Sequence, residues 1–232
     1  MGLPSHGLIR VSQYVAEARS GQLDPSAVPT VQAPTAGPAV IDGHWTYGQV
    51  AGMRASELVS AQTSEHGIGF TAVRRVQHTG RLGAYVEPLA RAGFLALAFA
   101  AGAPRFHRVA PFGAREGRMS TNPIAWAIPT QGDPLTADFS TSTMPEGRIR
   151  VLVEAGQSVP PDVICDYEGK PTTDPAALYG SDPWPAPGFL LPLGGQRFGH
   201  KGYALGLMVE CFATIMAADE GHECGRSGKK LV

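Results

Sequence analysis

The stretch HKGYALGLMVECFATIMAA, residues 200–218, carries apolar side chains nearly all round a helix. A helix without a polar face has nothing to offer water and has to be enclosed. A chain of 232 residues can enclose it, with room for one large or two small domains and a substantial core. The rest of the chain is heavily punctuated by 29 Gly and 20 Pro, which predict many turns and irregular connections rather than one long helical bundle.

Periodicity then assigns the segments. Leu8, Val11, Tyr14 and Val15 recur at helical spacing behind Ser5, a good N-cap, so a helix is predicted over 6–19, ending near Gly21. A Pro-rich loop runs to Pro38. Residues 39–43 read as a short strand, 46–65 as a helix, 67–76 as a strand, and a further helix runs to about Arg91. Residues 93–100 read as a buried strand. A long loop follows, and long loops in compact domains are often functional. IAWAIPT and LTADFST read as two more strands. Residues 144–156 fit either state, and 157–197 read as an irregular excursion. No repeat is present.

The formal net charge of −1 gives no broad basic face to follow a phosphate backbone, so nucleic acid is not the expected partner. The stretch starting at Gly93, GFLALAFAAGAP, is too short to span a bilayer, and no secretory signal pattern opens the chain. Cys165, Cys211 and Cys224 lack metal-ligand spacing and read as reduced thiols of a cytoplasmic protein. GHECGRSGKK has Glu223 where a phosphate loop needs glycine, and His222 with Cys224 lacks a second ligand pair, so no metal is expected. No G-x-S-x-G elbow supports a serine hydrolase.

Five clusters carry chemistry. Ser5, His6 and Gly7 stand three to five residues before Arg10, and His6 and Arg10 share a helical face. Histidine exchanges a proton near neutrality, and arginine holds a carboxylate through two parallel hydrogen bonds. A 2-oxo or 2-hydroxy acid needs both functions; a capped helix with two surface side chains is the plainer alternative. His78, Gly80 and Gly83 lie at a strand-to-helix switch whose N–H groups could meet an anion, although the spacing is not the dinucleotide fingerprint. Ser120–Asn122 and Asp138–Ser142 place small polar side chains at element ends, where turn chemistry is the competing explanation. Lys201, in GHKGY at the mouth of the apolar helix, puts a cation at the positive end of the macrodipole, which a bound anion would offset.

In order along the chain, LPSHGLIRVSQYV, VIDGHWTYGQVAG, VRRVQHTGRLGAY, APFGAREGRMSTNPIAWAIP, ADFSTS, PTTDPAALYG, LLPLGG and GHKGYALGLMVE resemble the malate/L-lactate (type 2) dehydrogenase family, nearest its hydroxycarboxylate dehydrogenase branch. The resemblance covers Met1 to about Ala218. It implies a mixed-sheet α/β fold that binds NAD or NADP without a Rossmann domain. It implies hydride transfer between that cofactor and a small 2-hydroxy acid or its 2-oxo or imino counterpart, usually by a homodimer.

By the same resemblance, His6 is an acid/base candidate with Ser5 as its relay, and Arg10 binds substrate. His78 serves proton transfer or cofactor contact, and Gly80, Asp138, Phe139, Ser140 and Lys201 lie at the cofactor. Gly102 stands where many members have a serine at the cofactor. Members run further at both ends, so 1–232 is expected to be a single incomplete catalytic unit. Residues 1–40 and 200–232 would form a helical substrate and dimerisation part, and 66–156 a cofactor-binding part. The competing expectation is a truncated, inactive paralogue that keeps only a cofactor-binding or dimerising surface.

Overall fold

Helix α1 (Val11–Arg19) follows a 3-10 turn over Leu8–Arg10, and the chain leaves it through Gly21, at φ +72°. The computed structural model describes residues 6–32, 39–217 and 229–231, so Ser5 and the residues of the His222–Cys224 motif lie outside the described set. The described residues form two compact units. One takes in 6–13, 102–122 and 140–208, the other 14–101, 123–139 and 209–231; α1 contributes residues to both.

The second unit is built on a seven-stranded sheet. Its strands are β1 (Thr30–Gln32), β2 (Ala39–Asp42), β3 (Thr71–Val76), β4 (Ala96–Gly102), β5 (Ile124–Ile128), β6 (Leu135–Phe139) and, from the far end of the chain, Lys229–Leu231. The order is β1-β2-β3, then Lys229–Leu231, then β4-β5-β6. Only β2 and β3 have been paired in parallel among the registers observed, and helix α2 (Gly48–His66) makes the crossover between them. β1–β2, β3 with Lys229–Leu231, β4–β5 and β5–β6 pair antiparallel, so the sheet is mixed. Helix α2 runs one residue past the predicted end at 65 and is capped by Gly67 at φ +77°, a left-handed position that glycine enters without a Cβ penalty.

Period-two alternation shapes β4 to β6. Ala96, Ala98, Ala125 and Ala127 are buried on one face, and such small side chains let helix α3 (Gly83–Arg91) pack closely. Leu97 and Leu135, on the other face, are 52% and 56% exposed, so β4 is not the fully buried strand expected. Ile41, Val73, Val76, Leu82 and Val86 join the alanines in the core.

The first unit has helix α4 (Glu146–Glu154) and a small sheet of β7 (Ile164–Cys165), β8 (Pro171–Thr172) and β9 (Phe189–Leu190), with β7 central. Its core holds Val109, Met119, Ile149, Leu152, Ile164, Leu178 and Leu190. The segment fitting either state is thus helical, and the supposed excursion carries three short strands and a 3-10 turn capped by Asp174. Helix α5 (Gly195–Ile215) starts five residues before the predicted helix and supplies residues to both units. Its apolar composition did not ensure enclosure: Leu207, Phe212 and Ile215 are 45%, 44% and 72% exposed. No helix among the described residues is long and apolar enough to cross a membrane.

Candidate active site

His78 is the most constrained of the nominated residues. It leaves β3 between Gln77 and Thr79, and all three are buried. The Gln77 N–H donates to the Thr46 carbonyl at 3.0 Å, and its side-chain Nε2 donates to the Gln22 carbonyl at 2.6 Å. The Tyr85 hydroxyl donates to the Thr79 carbonyl. Burial pushes the Tyr85 phenol well above its usual range, so it stays a donor.

Beneath this segment, α2 begins at Gly48. A Cβ there would sit 2.5 Å from the Gln77 carbonyl oxygen and 2.7 Å from that of His78. Gly48→Ala is therefore expected to lower stability by about 1–3 kcal/mol, the usual penalty of overpacking. A denaturant midpoint equal to wild type would show that the helix start can shift freely.

The imidazole is held from its other side. Its Nδ1 lies 2.7 Å from the Tyr14 hydroxyl, which in turn accepts a hydrogen bond from Gln49 Nε2 at 2.7 Å. The Tyr14 ring meets Tyr47 edge-on at 5.7 Å between centroids. Gly80, at φ +72°, continues the turn after Thr79.

The helix start that follows is already satisfied. The Gly83 N–H donates to Asp138 Oδ2 at 2.7 Å, and the N–H groups of Ala84 and Tyr85 donate to the carbonyls of Arg81 and Leu82. The anion at the head of α3 is thus the chain's own Asp138, not an external ligand, which corrects the expectation of an open site there. Burial raises the Asp138 carboxyl above its ordinary pKa, against the lowering pull of the Gly83 N–H and the Arg81 charge. Arg81 itself grips Glu87 through two bonds of 2.9 and 2.8 Å. Phe139 ends β6 and is partly exposed.

In the first unit, Arg10 is buried at the end of the opening 3-10 turn, with His6 half-buried two residues before that turn begins. Arg10 donates to Gln13 Oε1 at 2.7 Å and faces Glu146 at 3.9 Å, an ion pair too long to be a hydrogen bond. Glu146 also accepts from Arg150 at 2.6 Å and from the Tyr179 hydroxyl at 3.1 Å.

The polar clusters at Ser120–Asn122 and Ser140–Ser142 bond mainly within the protein. Ser120 Oγ accepts from the Gly102 N–H at 2.9 Å and donates to Asn122 Oδ1 at 2.6 Å. Asn122 Nδ2 donates to the Gly206 carbonyl of α5 at 3.0 Å, and Ser140 Oγ donates to the Ser142 carbonyl at 3.3 Å. Lys201 is exposed and lies in the second turn of α5, because the helix begins at Gly195. The macrodipole acts within the first turn, so it gives no reason for an anion at Lys201.

A family profile described as malate/L-lactate dehydrogenase matches residues 1–229. The chain belongs to the malate/L-lactate dehydrogenase family. Within that family, it is 37% identical over 222 residues to the Delta(1)-pyrroline-2-carboxylate/Delta(1)-piperideine-2-carboxylate reductase of Pseudomonas putida, covering 95% of this chain and 61% of that protein. It is 35% identical over 218 residues to the L-lactate dehydrogenase of Cupriavidus necator, covering 93% and 60%. A crystal structure of malate dehydrogenase from Entamoeba histolytica superposes with a TM-score of 0.86 at 28% identity, over 98% of this chain and 66% of that one. The chain spans about three fifths of the length of the curated relatives it matches.

Membership of the malate/L-lactate dehydrogenase family implies a nicotinamide dinucleotide, whose pyrophosphate backbone N–H groups or cationic side chains can hold. Arg197 and Lys201 stand one turn apart on α5, and both side chains reach the Phe198 ring, at 5.2 and 5.8 Å from its centroid. This donor set fits phosphate chemistry. The sequence did not single out Arg197, Tyr14 or Gln49. The i, i+4 spacing of Arg197 and Lys201 could have pointed to the first, but only once the earlier helix start was known. Nothing in the spacing of Tyr14, Gln49 and His78 links them, since the fold brings them together over 64 and 35 residues.

Proposed function

We propose that this chain carries out hydride transfer between a nicotinamide cofactor, NAD or NADP, and a small 2-hydroxy acid or its 2-oxo counterpart. The observation that carries this reading is the family match over residues 1–229, together with the presence of His6, Arg10, His78 and Lys201 at the motif positions. When bound, the nicotinamide gives a hydride to C2 of the oxo acid or takes it back from the hydroxy acid.

The chain's own groups do the rest. Arg10 binds the substrate carboxylate by charge-assisted hydrogen bonds, and Glu146 orients that guanidinium. One of His6 and His78 handles the proton at the substrate oxygen, with Ser5 as the relay partner of His6. Arg197 and Lys201 offset the charge of the cofactor phosphates, and Gly80, Asp138, Phe139 and Ser140 shape the rest of its site. Positioning and charge stabilisation supply most of the barrier lowering. The reading takes the chain to act as a homodimer, as the family resemblance implies, in a reducing cytoplasm where Cys165 and Cys211 remain thiols. In domain terms, 66–156 is the cofactor-binding part, and 1–40 with 200–232 the substrate and dimerisation part.

The experiment is a titration of the purified chain with NADH and, separately, NADPH, followed by protein fluorescence and then by turnover of lactate-, malate- and cyclic-imine-type acids. Saturable quenching by one of the two, with turnover of at least one acid, is expected. Binding of neither nucleotide would overturn the reading for this chain.

A further inference from the structure

We propose that Arg197 and Lys201 are the seat of a ribose 2′-phosphate, and so make this chain select NADP over NAD. The inference rests on the proposed function, which brings a nicotinamide dinucleotide to α5. It adds which phosphate of that molecule the two cations meet.

Arg197 and Lys201 stand at i and i+4 of α5, and both are exposed. Like charges at that spacing repel and cost helix stability. Among the described residues, no carboxylate pairs with either side chain and neither makes a hydrogen bond. What they share is the Phe198 ring, itself 50% exposed, with the guanidinium carbon 5.2 Å and the ammonium nitrogen 5.8 Å from its centroid. A ring attracts cations through its negative face, so Phe198 gathers two like charges that would otherwise spread apart. An anion held by both would offset their repulsion and use their donors.

The start of the helix decides which anion. A pyrophosphate is a diester, and its usual seat is the exposed N–H groups of a helix N-terminus. At α5 those groups are engaged. The Gln196 N–H donates to Asp162 Oδ1 at 2.9 Å, the Gly195 N–H to the Pro192 carbonyl at 2.9 Å, and the Phe198 N–H to the Gly194 carbonyl at 2.9 Å. A Cβ on Gly195 would collide with Asp162 Oδ2, so this carboxylate sits directly against the first turn. It repels a second anion at the backbone. Phosphate binding on α5 is left to side chains one turn further on.

A phosphomonoester suits that pair. It carries about −1.5 to −2 charges near neutral pH, more than either half of a pyrophosphate diester. Its terminal oxygens can take the fork of an arginine and the point charge of a lysine together. In a nicotinamide dinucleotide the one phosphomonoester is the 2′-phosphate that distinguishes NADP from NAD. Dinucleotide sites elsewhere follow the same chemistry, with a carboxylate for the 2′-hydroxyl and an arginine for the 2′-phosphate.

The test is binding of NADPH and of NADH to the full chain, followed by protein fluorescence. NADPH should bind at least about tenfold more tightly, the size of one charge-assisted hydrogen bond, and the advantage should shrink as salt is raised. Equal affinities, or tighter binding of NADH, overturn the inference and leave the proposed function standing. Binding of neither nucleotide overturns that function and this inference with it. Fragments give a reading that needs no turnover: 2′,5′-ADP should displace NADPH at least about tenfold better than 5′-AMP, which lacks the 2′-phosphate. Equal displacement overturns the inference.

Arg197→Gln and Lys201→Gln locate the effect. Both side chains are exposed, so melting curves should match wild type. Each variant should weaken NADPH about tenfold or more and NADH far less, bringing the two affinities together. Equal weakening of both nucleotides overturns the inference, because the cations would then meet the pyrophosphate that NAD and NADP share. Unchanged binding of both overturns it as well. Phe198 is a positioning residue: Phe198→Leu keeps an apolar side chain without the ring and should lose part of the NADPH preference. A preference equal to wild type overturns the role of Phe198.

Discussion

His78→Ala is expected to lower kcat by at least about 10²-fold, the lower bound for a group that moves the substrate proton. The effect should appear mainly in kcat, because the interaction strengthens as charge builds on the oxygen. Folding should survive. The backbone on either side of His78 is fixed by bonds that do not involve the imidazole: Gln77 to Thr46 and to Gln22, and Tyr85 to Thr79. Tyr14 keeps its bond from Gln49.

The companion variant His6→Ala separates the two histidines. If His6 carries the proton, it too should lose at least about 10²-fold, the lower bound for general acid–base catalysis. If neither variant loses that much in a folded chain with wild-type cofactor affinity, both assignments fail. Steady-state kinetics with matched melting curves decide between these results.

Asp42→Ala should destabilise the protein by about 3–5 kcal/mol, as happens when one partner of a buried ion pair is removed. Asp42 is fully buried at the end of β2. Arg75 reaches it through Nε at 2.8 Å and through a second guanidinium nitrogen, Arg74 Nε lies at 3.4 Å, and the His44 N–H donates to it at 3.1 Å. The variant leaves two guanidinium groups beside an apolar hole. A measured loss below about 1 kcal/mol, typical of an exposed pair, would show that water already screens the cluster.

The pH dependence has a defined sign. Burial alone would raise the Asp42 carboxyl, but the Arg75 hydrogen bond, the His44 N–H and the nearby positive charges outweigh it and hold the group below its ordinary pKa. A depressed folded-state pKa contributes stability above the unfolded value, and that contribution is lost as pH falls through the folded value. The difference in stability between wild type and Asp42→Asn should therefore be largest at neutral pH and shrink in acid below the normal carboxylate range. Urea titrations at several pH values check this.

Much of the fold was legible because local chemistry and tertiary structure agree. Gly67 closes α2, AVID forms β2, and the alternation of IAWAI and LTADF sets two adjacent strands. The errors have physical causes. Apolar composition was read as enclosure in α5, yet composition reports what a helix could bury and not what lies against it. The start of α5 was missed because Gly194 and Gly195, both at positive φ, look like loop residues, although Gly195 opens the helix. His78 in one unit and Arg10 in the other were readable as chemistry-bearing side chains in short motifs. Their partners were not, since Tyr14, Gln49 and Glu146 are ordinary residues in sequence and acquire meaning only through contacts across the fold.

The bonds from Gly43 to Arg74, from Trp45 to Arg75 and from Gln77 to Thr46 extend the pairing of β2 and β3 past their ends, up to the residue before His78. Seen on the axis of time, this ties the imidazole to the slowest motions of its unit. A loop residue samples new positions in nanoseconds to microseconds. His78 is zipped to the central strands, so it can leave its place only when that part of the sheet opens, in the rare sub-global events whose free energy approaches that of unfolding. On the proposed function, a substrate would meet a group that is already in position, and the motions that admit it would belong to other segments of the chain.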